Sequence, residues 1–461
     1  MATVTLDFNH TEDTVYYMGG EEGSLKVRSP RMERGNGTSG AGGGSSHVSP
    51  YCGDVLVDLH DVYVHYHGYA SLLVCAFGSV ANVLNIAVLT RKEMVSPTNA
   101  ILTGLAVADL LVMVEYVPFA YHMYLRPANY PRADRFSYNW SLFVLLHSDF
   151  SQAFHTISIW LTVTLAVWRY VAVVHPQINR IWCRMETTLS AIALGYLVCP
   201  IICIPSYLSF NLFSRVETLD ANGNRPTSVL QSALRRANNG TDVHSGHGIG
   251  GVSTSGGGFS ISTSGGSGEG GVGINDSNGG SGPLRNVTLY YVNVSDLATS
   301  TYLADINFWV YSVVIKIIPC VALTVLSLRL ICALLEAKRR RAKLTGSGRK
   351  SADKERQTDR TTRMLLAVLL LFLITEFPQG ILGLLTLLLG KRFFQDCYQN
   401  MGEVMDMLAL VNSAINFILY CVMSRQFRNT FSLLFLPSWI SKTESQALSH
   451  GNPTTTQVTQ V

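Results

Sequence analysis

Seven long apolar runs constrain this chain more than any other feature of its sequence. A helix needs about 20 mostly apolar residues to cross the hydrocarbon core of a bilayer. Because backbone groups in lipid must be hydrogen-bonded within their own segment, each run should form a helix. The runs cover residues 66–89, 99–124, 146–174, 187–207, 305–335, 362–389 and 403–423.

The composition of the chain agrees with a membrane environment. Charged residues make up only 14% of the sequence, whereas a soluble domain usually carries about 25%. We therefore predict an all-α membrane protein, a seven-transmembrane helix bundle with a short amphipathic eighth helix over residues 424–435. The formal net charge of +4 is too small to indicate a nucleic-acid partner. No cofactor and no enzymatic activity are expected, since the runs lack paired histidines or carboxylates at metal-ligand spacing.

Glycosylation motifs and cations predict the orientation of the bundle. All Asn-X-Ser/Thr acceptors lie in the N-terminal tail or in the connections after the second and fourth runs, which share the outer side if the N-terminus is extracellular. Cations concentrate on the other side, as in the positive-inside pattern, although the run over 338–341 would also suit a solvated helix extension. We expect a multi-pass plasma-membrane protein. The acceptors are Asn9, Asn36, Asn139, Asn239, Asn275, Asn286 and Asn293.

The chain divides into three parts with two long connections. An extracellular tail covers residues 1–65, the helix bundle covers 66–436, and a cytoplasmic tail covers 437–461. Within the bundle, the outer connection over 208–304 is rich in Gly and Ser and is predicted to be largely disordered. The inner connection over 336–361 is basic.

Short motifs on four of the runs carry a resemblance to a known family. The second run contains LAVADLL around Asp109, and the third ends in TVTLAVWRYVAVVHP around Arg169. The sixth contains TEFPQG around Pro378, and the seventh ends in NSAINFILY. With Asn82 and Pro319, this pattern resembles rhodopsin-like (class A) G-protein-coupled receptors. The stretches HSDFSQAFHTISIWLTVTLAVWRYVAVVHP and TEFPQGILGLL are similar to insect myosuppressin receptors, which are FMRFamide-related peptide receptors.

This resemblance implies a ligand and partners. The ligand would be a secreted, C-terminally amidated neuropeptide ending in Arg-Phe, and the partners would be a heterotrimeric G protein and arrestin. The C-terminal Val461 resembles a PDZ ligand, although three matching residues also occur by chance. A sex-peptide or myoinhibitory-type peptide receptor is the alternative function. A seven-helix transporter or channel is less favoured, because the sequence has no matching halves.

The resemblance also assigns activation roles to residues inside the runs. Asp109 would join Asn82, Asn412, Ser413 and Asn416 in a polar cluster that holds sodium, or in a hydrogen-bonded packing cluster without an ion. Arg169 would meet the G protein, or would only snorkel. Trp168 replaces the usual acid, so either basal activity is raised or a hydrogen bond replaces the ionic lock, given by Tyr170 or by one of the threonines Thr358, Thr361 and Thr362. The full set is Asn82, Asp109, Trp168, Arg169, Tyr170, Pro319, Pro378, Asn412, Asn416 and Tyr420.

Two opposite charges lie deep inside neighbouring runs. Lys316 in the fifth run and Glu376 in the sixth both sit roughly 15–20 Å from the outer surface. Because a lone charge at this depth is costly, we predict an ion pair at the floor of a pocket. Glu376 stands where the family has a tryptophan switch, so the pair could be a bistable element, a static structural pair, or absent if Lys316 faces elsewhere.

An arginine in the ligand needs a carboxylate partner, ideally bidentate. Candidates in the outer half are Glu115, Asp149, Asp305, Glu403 and Asp406. Glu403 and Asp406 share one helix face, although stabilisation of the helix dipole alone would also explain them. Aromatic and polar candidates for the phenylalanine amide are Tyr121, Phe154, His155, Trp309 and Tyr311, which would equally suit core packing.

The cysteines depart from the family pattern. The usual third-run cysteine is Val144 here, and residues 208–304 contain no cysteine. Cys52 and Cys397 remain outside the runs, beside two helix ends that are neighbours in a seven-helix ring. We predict a Cys52–Cys397 disulfide, with two free thiols as the alternative, since sequence does not give their separation.

Overall fold

The structure is a computed structural model that describes residues 52–127, 130–220, 222–223, 259–263, 272–276, 284–344 and 370–435. Within these ranges it contains seven helices that are long and apolar enough to cross a membrane, which confirms the predicted bundle. They are α1 (Asp54–Leu89), α2 (Pro97–Leu125), α3 (Tyr138–Val174), α4 (Met185–Ser209), α5 (Leu303–Glu336), α6 (Leu370–Leu389) and α7 (Phe394–Val422).

Shorter helical segments complete the helical part of the fold. The predicted eighth helix is present as α8 (Arg425–Phe435), whose first turn is capped by Ser424 Oγ accepting from Phe427 N at 3.1 Å. Further short helices cover Lys92–Met94, Arg132–Arg135, Pro176–Trp182, Asp296–Ser300 and Lys391–Phe393. The acceptors Asn9, Asn36 and Asn239 and the terminal Val461 lie outside the described residues.

Several helices are longer than their apolar runs. α1 begins at Asp54, α3 at Tyr138 and α7 at Phe394, each well before the start of the corresponding run. Hydropathy marks only the part of a helix that lies in lipid, whereas the helix itself continues while its backbone bonds and packing persist. The additional turns project three helices beyond the apolar core at one end of the bundle.

Two strand pairs interrupt the predicted outer connection. β1 (Phe210–Leu219) pairs antiparallel with β4 (Arg285–Val294), and β2 (Phe259–Thr263) pairs with β3 (Val272–Asp276). The expectation of a largely disordered segment over 208–304 is therefore wrong at both flanks. These flanks are rich in β-branched and aromatic residues, which suit a ladder, whereas the prediction rested on the Gly- and Ser-rich stretch between them.

The β1–β4 hairpin and α8 mark the two ends of the bundle. We call them the hairpin end and the α8 end. At the hairpin end a disulfide joins Cys52, before α1, to Cys397 in α7, with a Cα–Cα distance of 5.7 Å. Asn139, Asn286 and Asn293 are exposed at this end. The core of this half includes Met113 and Tyr116 of α2, packed in one cluster with residues of α1, α3 and α7.

Candidate functional site

A charge cluster with three buried side chains lies inside the bundle. Lys316 Nζ of α5 donates to Glu376 Oε2 of α6 at 2.6 Å, and both side chains are 0% exposed. His155 Nε2 of α3 lies 3.0 Å from Glu376 Oε2 and 3.0 Å from Lys316 Nζ. Asn412 Nδ2 of α7 donates to Glu376 Oε1 at 3.1 Å. The charge cluster, defined by these four residues, therefore joins four helices through one carboxylate.

The histidine gives the charge cluster two hydrogen-bonding arrangements. A neutral imidazole nitrogen either donates or accepts, so His155 Nε2 can donate to Glu376 or accept from Lys316, but not both at once. His155 was a candidate contact for the phenylalanine amide of a ligand. The structure places it against the ion pair, because its position on α3 faces the meeting point of α5 and α6.

Two glycines of α6 allow the ion pair to form. A Cβ built at Gly380 would lie 3.0 Å from Lys316 Cβ, and one at Gly383 would lie 2.1 Å from Ser312 Oγ. Glycine removes this obstacle and lets two helices approach closely within a membrane. Sequence reasoning overlooked this feature, although the spacing of the glycines in QGILG is a signal for it.

The backbone of α5 is irregular beside the same cluster. Residues Val310–Ile317 form a π-helical stretch that contains Lys316, and Pro319 follows in the next turn. Such bulges occur frequently at functional sites. Pro378 lies two positions after Glu376 on α6, so each charged residue of the pair has a proline near it on its own helix.

A second polar cluster surrounds Asp109, which is 0% exposed. Ser158 Oγ donates to Asp109 Oδ1 at 2.8 Å, and Asn416 Nδ2 donates to Asp109 Oδ2 at 3.0 Å. Asn82 Nδ2 donates to the backbone oxygen of Ser413 at 3.1 Å, which ties α1 to α7. Ser158 was not predicted, because nothing in its local sequence distinguishes it from other small residues of α3.

Asn412 does not share the Asp109 cluster as the sequence reasoning expected. It bonds to Glu376, whereas Asn416, four residues further along α7, bonds to Asp109. Residues four apart lie on the same face of a helix and one turn apart along it. One face of α7 therefore connects the charge cluster with the Asp109 cluster.

The arginine motif around Arg169 lies toward the α8 end. Trp168 Nε1 donates to Thr188 Oγ1 of α4 at 2.9 Å, so this tryptophan binds α3 to α4. Within the described residues, Arg169 makes no hydrogen bond or ion pair. The ring of Tyr170 lies 5.9 Å from that of His175, and Tyr420 is buried beside Phe427 of α8. Thr358, Thr361 and Thr362, considered as lock partners, lie outside the described residues.

The candidate acids of the hairpin half divide into interior and peripheral residues. Glu115 Oε2 is hydrogen-bonded to His147 Nδ1, while its Oε1 is buried without a hydrogen-bond partner among the described residues. Glu403 Oε2 lies 3.4 Å from His60 Nε2, and Asp406 is buried. Asp305 is exposed on α5, and Asp149 is only half-buried on α3.

The aromatic candidates divide in the same way. Tyr121 and Trp309 are 53% and 54% exposed on the outside of the bundle, so they face the surroundings rather than the interior. Phe154 packs against Phe150 and Tyr196, with ring centroids 4.3 and 6.3 Å away. Tyr311 faces the charge cluster, with its ring centroid 5.7 Å from Lys316 Nζ.

Seven apolar helices with buried polar clusters define a multi-pass seven-helix membrane protein. The family described as serpentine type 7TM GPCR chemoreceptor Srw matches residues 69–224 and 281–437. The chain therefore belongs to this family of G-protein-coupled receptors, as its motifs predicted.

Several receptors are similar in sequence to most of this chain. The G-protein coupled receptor dmsr-1 of Caenorhabditis elegans is 25% identical over 84% of this chain and 71% of its own length. The sex peptide receptor of Drosophila melanogaster is 29% identical over 82% of this chain and 74% of its own length. The FMRFamide receptor of the same fly is 22% identical over 82% of this chain and 55% of its own length.

Proposed function

We propose that the chain is a neuropeptide receptor that binds a short peptide ending in Arg-Phe-amide and activates heterotrimeric G proteins. The observation that carries the proposal is the carboxylate of Glu115, which uses one oxygen for His147 and leaves Oε1 buried without a partner among the described residues. An unsatisfied buried carboxylate oxygen is costly. A guanidinium supplies planar donors that match a carboxylate, and it would remove this cost.

Further features of the hairpin half support a cationic peptide ligand. Glu403 and Asp406 lie on one face of α7, and three tyrosines, Tyr116, Tyr124 and Tyr398, lie in the same half of the bundle. These tyrosines offer rings and hydroxyls to an aromatic residue and a terminal amide. The names of two relatives, FMRFamide receptor and sex peptide receptor, agree with a peptide ligand.

The charge cluster is the proposed switch of this receptor. A ligand group that competes for Glu376 would change which of Lys316, His155 and Asn412 it holds, so ligand binding would select between two arrangements. Asn412 would pass the change along α7 to Asn416 and the Asp109 cluster, with or without a sodium ion there. Arg169 at the α8 end would then engage the G protein, with arrestin as a later partner.

Stimulation of the cell-expressed receptor with FMRFamide tests the ligand class. We expect G-protein activation by FMRFamide and at least tenfold weaker activation by the same peptide with a free C-terminal carboxylate. The Glu115→Gln variant should lose about tenfold or more in potency, because the neutral amide cannot pair with the guanidinium. Asp305→Asn is the matched control, since this acid is exposed on α5. Equal responses of Glu115→Gln and wild type would contradict the proposal.

The proposed orientation has the hairpin end outside a plasma membrane. The exposed acceptors Asn139, Asn286 and Asn293 at that end support it, because glycosylation occurs only on the lumenal side. An epitope tag at the N-terminus should bind its antibody on intact cells. A tag placed after Val461, the proposed PDZ-binding end, should bind its antibody only after the cells are permeabilised. The reverse pattern would refute this orientation.

A receptor of the sex-peptide type is the second candidate. The Drosophila sex peptide receptor favours this candidate, because it is 29% identical to this chain over 82% of the chain's length. Sex peptide, tested in the same assay, separates the two candidates. Activation by sex peptide, together with no response to FMRFamide, would assign the chain to this second type.

A further inference from the structure

A buried ion pair fastens the β1–β4 hairpin to the connection between α2 and α3. Arg132 Nε donates to Glu217 Oε2 at 3.1 Å, and its Nη2 donates to the Tyr291 hydroxyl at 3.3 Å. The same hydroxyl donates to Glu217 Oε1 at 2.7 Å. We call Arg132, Glu217 and Tyr291 the arginine clamp. Because each member bonds to the other two, all three lie in one closed ring of hydrogen bonds.

The register of β1 against β4 places Glu217 on the buried face of the hairpin. Glu217 is 9% exposed, while the adjacent Val216 is 63% exposed. Side chains alternate between the two faces of a strand, so a slip of one residue would bury the valine and expose the acid. β1 thus buries Glu217 and exposes Val216, while its other charged residue, Arg215, is exposed. A buried charge is costly unless an opposite charge and hydrogen bonds compensate it, and Arg132 and Tyr291 supply both to Glu217.

Backbone contacts around the arginine clamp extend the attachment. Tyr290 N donates to Phe136 O at 2.9 Å, and Ser141 Oγ of α3 donates to Tyr290 O at 2.6 Å. Further along β4, Val292 packs against a core cluster that includes Val144 of α3, and Val294 packs in a cluster with residues of α5 and α7. The hairpin therefore reaches across the end of the bundle from the α2–α3 side to α7.

We propose that the arginine clamp positions the hairpin across the mouth of the bundle and thereby sets ligand affinity, with Arg132 as the positioning residue. The arginine clamp attaches the hairpin to the bundle without a covalent bond. A disulfide between α3 and this connection cannot form, because residues 208–304 contain no cysteine and the usual cysteine position of α3 is Val144. A buried, hydrogen-bonded arginine is the cation best suited to hold an acid and a hydroxyl at once, because its planar fork fixes both directions. The part of the proposal that concerns affinity rests on the peptide-receptor function proposed above.

Amide hydrogen exchange of the purified full-length receptor tests the attachment without any ligand. We expect Arg132→Met and Glu217→Gln to accelerate exchange in β1 and β4 by about tenfold or more, because each leaves one buried polar partner uncompensated. Arg135→Met is the matched control, since this arginine lies in the same short turn and its side chain bonds to the backbone oxygen of Pro127. Tyr291→Phe removes one hydroxyl only, so it remains informative if the charge variants fail to fold.

Two further comparisons decide the proposal. The double reversal Arg132→Glu with Glu217→Arg should restore much of the protection that either single reversal loses. FMRFamide potency should fall about tenfold or more in Arg132→Met and Tyr291→Phe, but not in Arg135→Met. Unchanged exchange in Arg132→Met and Tyr291→Phe, or equal acceleration in Arg135→Met, would overturn the clamp. Faster exchange with unchanged FMRFamide potency would overturn its role in affinity. A wild-type receptor silent to FMRFamide would count against the Arg-Phe-amide ligand alone, because the exchange measurement tests the attachment without a ligand.

Discussion

At the scale of single residues, Glu376 shows how a charge is tolerated deep in the bundle. Its Oε2 is shared by Lys316 and His155, and its Oε1 accepts from Asn412, so both oxygens have partners. An ion pair in a low-dielectric interior survives only when further hydrogen bonds satisfy its remaining donors and acceptors. The carboxylate of α6 thus links α3, α5 and α7 through direct hydrogen bonds.

Removal of one charge should destabilise the receptor more than removal of both. Lys316→Met leaves the Glu376 carboxylate buried without its main partner, which typically costs about 3–5 kcal/mol. The double variant Lys316→Met with Glu376→Met should recover much of this loss, since it buries no charge. Thermal unfolding of the wild type, the single variant and the double variant, each purified in nanodiscs, measures the order of their stabilities. A double variant no more stable than the single one would argue against direct pairing.

At the scale of elements, the approach of α5 to α6 depends on glycine. The side chain of Ser312 occupies the space that a Cβ at Gly383 would need, so even alanine would push the two helices apart. The same approach allows Lys316 to reach Glu376, because the length of its side chain is limited. The glycines of α6 therefore determine both how closely α5 packs against α6 and whether Lys316 can reach Glu376.

Gly383→Ala should therefore weaken both packing and signalling. We expect a lower unfolding temperature and reduced ligand response, because Ser312 or the helix axis must move. Gly195→Ala on α4 is the matched control, since a Cβ there would meet Leu161 Cδ2 at an ordinary 3.7 Å. Thermal unfolding and G-protein activation, measured at equal surface expression, compare the two. If both alanine variants behave like wild type, close packing of α5 on α6 is not required.

At the scale of the whole molecule, the disulfide closes the ring of helices. Cys52 precedes α1 and Cys397 lies in α7, so one covalent bond joins segments that are 345 residues apart in sequence. Such a link restricts the unfolded chain much more than the folded one. The β1–β4 hairpin, in contrast, is attached to the bundle by hydrogen bonds and packing.

Loss of the disulfide should lower the stability of the receptor. The double variant Cys52→Ser with Cys397→Ser should cost about 2–5 kcal/mol, and a reductant should lower the unfolding temperature of wild type but not of this variant. Cys332→Ser is the control, because Cys332 is an exposed free thiol on α5. A reductant effect of equal size on wild type and on the double variant would show that the bond does not contribute.

The sequence by itself determined the seven helices, and it predicted the ion pair of Lys316 with Glu376 and the disulfide of Cys52 with Cys397, which the structure then decided against their alternatives. Each follows from apolar length, from the cost of a lone charge in lipid, or from which helix ends adjoin in a ring. Only the tertiary structure decided that His155 and Asn412 complete the charge cluster and that Arg132 meets Glu217. Side-chain partners on different elements depend on how each helix is rotated and how closely it packs, and the pattern within one segment does not contain that information.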